Sequence, residues 1–151
     1  RNGLEFLLEV IPSKVAATDD DTTAWIIQHF YDLGIYPDWW KLEPLKTNDA
    51  WSKTVDAIDR NDPHTRGIVV LGLDAPTDEL AASFKLAATH SLVKGFAVGR
   101  TIFGDAARAW MSGTITDQQA VDDMATRYEN LCGLWDTARD NARKNTSENV
   151  A

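Results

Sequence analysis

Four short apolar runs alternate with longer amphipathic segments along the chain. The runs cover residues 4–11, 38–43, 67–73 and 93–98. Apolar runs of this length, bounded by proline, glycine or polar residues, are typical of strands buried in a parallel sheet. The segments between them show the 3.6-residue spacing of helices. The predicted helices cover residues 22–33, 49–60, 76–89 and 102–112.

The order of these segments is a βα unit repeated four times, followed by a long helix predicted over residues 116–143. This order predicts a parallel α/β sheet with right-handed crossovers. Each unit takes about 30 residues, the size of one unit of a TIM-type (β/α)8 barrel. We therefore expect a single α/β domain over residues 1–151, with half a barrel at residues 4–113.

The spacing of apolar residues also predicts which face of each helix is buried. In the first helix the predicted apolar face consists of Trp25, Ile26, Phe30 and Leu33. In the last helix it consists of Val121, Met124, Tyr128, Leu131 and Trp135. Asn48 is expected to cap the helix at residues 49–60, because asparagine favours that position.

Composition narrows the class of protein. The net charge of −8 argues against a nucleic-acid-binding surface. One cysteine, Cys132, can form neither an internal disulfide nor a multi-cysteine metal site, and the three histidines lack metal-ligand spacing. No apolar run approaches the roughly 20 residues of a membrane span, and no secretory leader is evident, so we expect a cytoplasmic protein. The chain starts without methionine, and we expect it to be a piece of a longer polypeptide.

Lys41 is the strongest candidate for chemistry, because it lies inside an otherwise apolar run, DWWKLEP at residues 38–44. Strand alternation places it on one face with Trp39 and Glu43, and Glu43 is a candidate for a supporting role. If both faces of the sheet are covered, the ammonium is buried, its pKa falls and the amine becomes a nucleophile. Pro44 ends the strand, so Lys41 lies near the carboxyl end, where α/β proteins place their sites. The alternative is a lysine whose amine reaches solvent.

Glu9 lies near the carboxyl end of the first predicted strand. It could move protons beside Lys41 or hold the amine in place by a hydrogen bond. The alternative is a partly solvated glutamate or a plain ion pair.

Gly99 and Arg100 precede a predicted helix, a pattern that suits a phosphate group. Glycine lets the phosphate approach the backbone, the helix start offers free N–H groups, and arginine supplies a bidentate cation. Gly72, near the end of the third strand, fits the same role. The alternative is a glycine chosen for close packing and an arginine paired with Asp74 or Asp105.

Four stretches carry a family resemblance: EFLLEVIP, DWWKLEP, GIVVLGLDAP and VKGFAVGRTIF. They resemble the DUF2090-type aldolase-like domain that is fused to the sugar kinase of myo-inositol breakdown, over residues 4 to about 143. That domain is assigned as a 5-dehydro-2-deoxyphosphogluconate aldolase. It is similar to the class I tagatose-bisphosphate aldolases, which are (β/α)8 barrels with a Schiff-base lysine. The resemblance implies that this chain supplies the fifth to eighth barrel strands.

The resemblance also implies roles for individual residues. Lys41 matches the Schiff-base lysine, and Glu9 matches the acid–base glutamate. Arg100, beside Gly99, matches the phosphate-binding arginine, and Gly72 falls at a small phosphate-contacting position. The implied activity is that of an aldehyde-lyase without metal or cofactor. It would cleave 2-deoxy-5-keto-D-gluconate 6-phosphate to dihydroxyacetone phosphate and malonate semialdehyde.

The resemblance leaves the first half of the family's barrel unaccounted for, including an acidic residue near its start. Four strands alone have two open edges and an exposed inner face. We therefore expect either a missing N-terminal half-barrel or a second copy of the chain to close the sheet. Two other functions remain open. One is a non-catalytic barrel that binds a sugar phosphate and regulates a fused kinase, and the other is an oligomerisation module whose tryptophan-rich faces support a partner.

Overall fold

The structure is a computed structural model that describes residues 3–148, so residues 1, 2 and 149–151 lie outside the described part. Within that part, four parallel strands form one sheet in the order of the sequence. The strands are β1 (Leu7–Val10), β2 (Trp39–Leu42), β3 (Gly67–Leu71) and β4 (Val93–Ala97). The predicted parallel α/β fold is confirmed, and each strand is shorter than the apolar run that predicted it.

Five α-helices follow the strands within residues 3–148. They are α1 (Thr22–Asp32), α2 (Asn48–Asn61), α3 (Thr77–Ala87), α4 (Arg100–Met111) and α5 (Asp117–Glu148). A short 3₁₀ helix, Pro12–Lys14, follows β1 directly. The sequence predicts that the last helix ends at residue 143, whereas α5 ends at Glu148. Over residues 3–148, no helix combines the length and the apolar character that a membrane crossing requires.

The helices pack on one face of the sheet and enclose the core there. The strands contribute Val10, Trp40, Leu42, Ile68, Val70 and Val93. The helices contribute Ile27, Tyr31, Trp51, Ile58, Leu80, Phe84, Leu131 and Trp135. Because side chains alternate along a strand, the opposite face carries Leu7, Trp39, Lys41 and Val69, which remain partly exposed. The described chain therefore covers one face of its sheet and leaves the other partly open, although Leu71 at the end of β3 is buried on that second face.

Helix α1 confirms half of its predicted face. Ile26 and Phe30 are partly buried and pack against the core. Trp25, in contrast, is 68% exposed and stacks on His29 at the surface, and Leu33 is also exposed. The buried residues are Thr23, Ile27 and Tyr31. The Tyr31 hydroxyl accepts a 3.0 Å hydrogen bond from Nε1 of buried Trp40, a tertiary contact that the local pattern does not indicate.

The cap of α2 is Thr47 and not Asn48. The Thr47 hydroxyl accepts a 3.1 Å hydrogen bond from the Ala50 backbone N–H, while Asn48 is the first residue of the helix. Both residue types suit a cap, and the chain turns into the helix one residue earlier than predicted.

Helix α5 confirms only part of its predicted face. Leu131 and Trp135 are buried, but Val121 and Tyr128 are exposed. Two small residues, Ala120 and Ala138, are also buried and were not part of the predicted face.

Candidate active site

The carboxyl ends of the four strands surround a pocket of about 370 Å³. The side chains or backbones that line it include those of Glu9, Lys41, Gly72, Gly99 and Arg100. The structure thus brings together the two residues predicted for catalysis and the three predicted for phosphate binding. They come from the ends of β1 to β4, because a parallel sheet places all its carboxyl ends at one edge.

Lys41 and Glu9 form an ion pair at the wall of this pocket. They are direct partners in the register of β1 and β2, so their side chains lie side by side on the open face. Lys41 Nζ lies 2.8 Å from Glu9 Oε1, and the two side chains are 26% and 43% exposed. One face of the sheet is open, so the condition for a fully buried ammonium is not met. The pair instead provides an amine and a proton acceptor in direct contact at a solvent-accessible wall.

Glu43 does not join this pair. It is 6% exposed, and its carboxylate accepts hydrogen bonds from Ser13 N at 3.3 Å and from Ser13 Oγ at 2.5 Å. It lines a separate cavity of about 600 Å³. The prediction that Glu43 shares a face with Lys41 is wrong, because β2 ends at Leu42, one residue before Glu43. Glu43 therefore holds the 3₁₀ helix after β1 rather than Lys41.

The chain makes a strained turn after β3. Leu73 and Asp74 have φ values of 49° and 60°, and Ala75 N donates a 2.8 Å hydrogen bond to Gly72 O. For residues other than glycine, left-handed backbone costs roughly 1 kcal/mol or more each. The turn directs Asp74 towards α4, where its Oδ2 lies 2.8 Å from Arg100 Nη1. Strained backbone of this kind is concentrated at functional sites, and here the strained turn positions the Asp74 carboxylate to pair with Arg100.

Gly72 packs closely against β4. A Cβ at this position would lie 2.8 Å from Val98 Cγ1, closer than side chains tolerate. The alternative of a glycine required by packing therefore has direct support, and its backbone still faces the pocket.

Helix α4 begins at the pocket. Gly99 is its N-cap residue and Arg100 its first residue, two residues earlier than predicted. The hydrogen-bond ladder starts at Ile102, whose N–H donates to Gly99 O at 2.8 Å, so the Arg100 and Thr101 N–H groups precede it. The predicted pairing of Arg100 with an acidic residue is present, with Asp74 as the partner. A phosphate at this helix start would compete with Asp74 for the guanidinium.

Lys14 is a further pocket residue that the sequence prediction missed. The polar segment at residues 13–21 predicts a loop, and nothing in its pattern separates Lys14 from a surface lysine. The one feature that could have indicated a pocket residue is the position of Lys14 directly after the carboxyl end of a strand. Over residues 3–148, no three His, Cys, Asp or Glu side chains converge in a way that could hold a metal ion.

The fold and the site define a class of protein: an α/β chain with ionisable residues gathered at the carboxyl edge of a parallel sheet. Residues 1–139 match the family described as an uncharacterised protein conserved in bacteria, DUF2090, and the chain belongs to that family. No curated protein matches the chain. The match confirms the DUF2090 part of the resemblance, and the family description itself names no activity.

Proposed function

We propose that this chain carries the Schiff-base and phosphate-binding residues of a class I aldolase. The observation that supports the proposal best is the contact of 2.8 Å between Lys41 Nζ and Glu9 Oε1 in a pocket that also contains Gly99 and Arg100. The proposed reaction, taken from the family resemblance, is cleavage of 2-deoxy-5-keto-D-gluconate 6-phosphate to dihydroxyacetone phosphate and malonate semialdehyde. The pathway would be myo-inositol breakdown.

The ion pair suits the proton transfers of this reaction. Glu9 accepts a proton from Lys41, and the free amine attacks the substrate ketone to form a carbinolamine. Glu9 gives that proton to the carbinolamine hydroxyl, which leaves as water, so that an iminium and a Glu9 carboxylate remain. Glu9 then takes the proton of the hydroxyl β to the iminium carbon as the carbon–carbon bond breaks. The bonding electrons pass into the iminium and form an enamine, while the hydroxyl carbon leaves as the aldehyde. Protonation of the enamine and hydrolysis of the iminium release the ketone product and regenerate Lys41.

The phosphate end of the substrate is assigned to the start of α4. Arg100 offers a planar guanidinium, and the Arg100 and Thr101 N–H groups precede the helix ladder. Asp74 holds the guanidinium at 2.8 Å and would give way to the more highly charged phosphate.

We further propose that the sheet is half of a (β/α)8 barrel. Sequential parallel strands with helices on one face fit that arrangement. Several of the exposed apolar residues lie around β1, α1 and α4; among them are Leu4, Phe6, Leu7, Trp25, Leu33, Phe103, Trp110 and Met111. Surfaces of this kind mark interfaces. The partner would be the preceding βα units of a longer polypeptide or a second copy of the chain.

Borohydride trapping tests the catalytic role of Lys41. The chain is incubated with dihydroxyacetone phosphate, reduced, and weighed intact by mass spectrometry. We expect one adduct on the parent chain and none on Lys41→Met. Glu9→Gln should slow adduct formation by about 10²-fold or more, because a positioned acid–base group contributes at least that factor. Lys94→Met is the matched control, since Lys94 is a strand lysine whose Nζ bonds Ser91 O at 2.8 Å.

An adduct that persists in Lys41→Met would refute the assignment of the nucleophile. No adduct on a parent chain that still binds the phosphate would favour the non-catalytic sugar-phosphate-binding barrel, whose ligand needs Arg100 but not Lys41.

A further inference from the structure

We infer that Lys14 binds a second anionic group of the ligand, at the end of the molecule remote from the phosphate. The inference rests on the proposed phosphate position at Arg100. The proposed substrate carries a carboxylate at that end, and the inference assigns Lys14 as the residue that binds it.

The ionisable side chains of the pocket do not balance in charge. Among the described residues, its ionisable lining consists of Glu9, Lys14, Lys41, Asp74 and Arg100. Lys41 pairs with Glu9 and Arg100 pairs with Asp74, each at 2.8 Å. No carboxylate among the side chains that the structure describes lies within 4.0 Å of the Lys14 ammonium. In a chain of net charge −8, this pocket therefore keeps one cation without an acidic partner.

Hydrogen bonds hold the backbone that carries Lys14. Lys14 ends the 3₁₀ helix Pro12–Lys14, in which Val15 N donates to Pro12 O at 2.9 Å. Glu43, buried behind the helix, accepts two hydrogen bonds from Ser13. A buried carboxylate is costly unless it is hydrogen-bonded, and Glu43 directs its bonds to this turn. Glu43 is thus a positioning residue for the turn that presents Lys14.

Three cations of the pocket follow one another along the sheet edge. Lys14 follows β1, Lys41 lies in β2, and Arg100 follows β4. Neighbouring strands are about 4.8 Å apart, so the ends of β1 and β4 are separated by about 14 Å. A ligand whose phosphate lies at Arg100 and whose ketone reaches Lys41 extends its remaining carbon chain towards Lys14. A carboxylate at that end would meet the free ammonium.

Two matched ligands test this assignment without catalysis. 6-Phosphogluconate and glucitol 6-phosphate have the same carbon chain and phosphate, and they differ in a terminal carboxylate against a hydroxymethyl group. Their dissociation constants are measured by titration calorimetry. We expect the parent to bind 6-phosphogluconate about fivefold more tightly, the factor that corresponds to roughly 1 kcal/mol for an exposed ion pair.

Variants assign the preference to a residue. Lys14→Gln should bind both ligands equally, and Lys14→Arg should keep the preference because it keeps the charge. Arg100→Gln should weaken both ligands by a similar factor. Lys46→Gln is the control, because Lys46 is an exposed lysine that lines the neighbouring cavity, and the preference should survive there.

Equal binding of the two ligands by the parent, or an unchanged preference in Lys14→Gln, would overturn the role of Lys14. Both results leave the phosphate site intact, since glucitol 6-phosphate still binds. Failure of the proposed function has a different signature: the parent binds neither ligand, and the assignment of Lys14 falls with the phosphate site.

Discussion

Replacing Gly72 by alanine tests whether packing requires this glycine. The added Cβ would lie 2.8 Å from Val98 Cγ1 and 3.1 Å from Val98 Cγ2. Carbon atoms in favourable contact are about 3.5–4.0 Å apart, and a β-branched side chain has few alternative rotamers. Gly72 is not among the glycines with positive φ, so its backbone conformation suits alanine and the clash is the source of the cost.

Two opposing contributions set the expected change in the free energy of unfolding. Overpacking of this kind costs about 1–3 kcal/mol. Alanine also restricts the unfolded chain, which stabilises the fold by about 0.4–1 kcal/mol. We therefore expect Gly72→Ala to lower the free energy of unfolding by about 0.5–2 kcal/mol. In a Val98→Ala background both γ carbons are gone, and the same change should be neutral or stabilising by up to about 1 kcal/mol.

The assay is a double-mutant cycle over the parent, the two single variants and the double variant. Urea unfolding is followed by tryptophan fluorescence, and an unchanged m-value shows that the unfolding transition is comparable in all four. A coupling energy of about 1–3 kcal/mol between positions 72 and 98 is expected. Equal destabilisation in both backgrounds would refute the packing argument. Unchanged stability with weaker binding of glucitol 6-phosphate would show that Gly72 serves the ligand instead.

Two further predictions concern the core and the pH dependence of stability. Burial raises the pKa of Tyr31 to about 12, and its hydroxyl accepts the Nε1–H of fully buried Trp40. Tyr31→Phe leaves that donor unpaired and should cost about 1–3 kcal/mol in urea unfolding, whereas exposed Tyr36→Phe should change little. Burial also lowers the pKa of His90. Because the unfolded chain then takes up a proton more readily, stability should fall as the pH drops below about 6.5, towards the folded-state pKa. Comparing the free energy of unfolding at pH 7.5 and 5.5 should show a smaller fall in His90→Gln, and an equal fall would contradict the assignment.

The local pattern of the chain is sufficient to predict the order of the elements and the edge of the sheet at which the pocket lies. Each apolar run is local and is bounded by its own proline, glycine or polar residues, so strands and helices could be predicted without knowing their partners. Parallel pairing then follows from the βα order. Because that pairing places carboxyl ends together, the contact between Glu9 and Lys41 can be expected from the sequence.

Tertiary contacts determine which side chains are buried where the local pattern allows more than one possibility. In α1, both Tyr31 and the predicted Phe30 pack against Trp40, whereas the predicted Trp25 stays at the surface. Glu43 is buried because Ser13, thirty residues earlier, supplies its donors. Lys14 enters the pocket because that same contact holds its turn. These burial patterns and positions depend on contacts between segments that are distant in sequence. They cannot be predicted from local periodicity or composition.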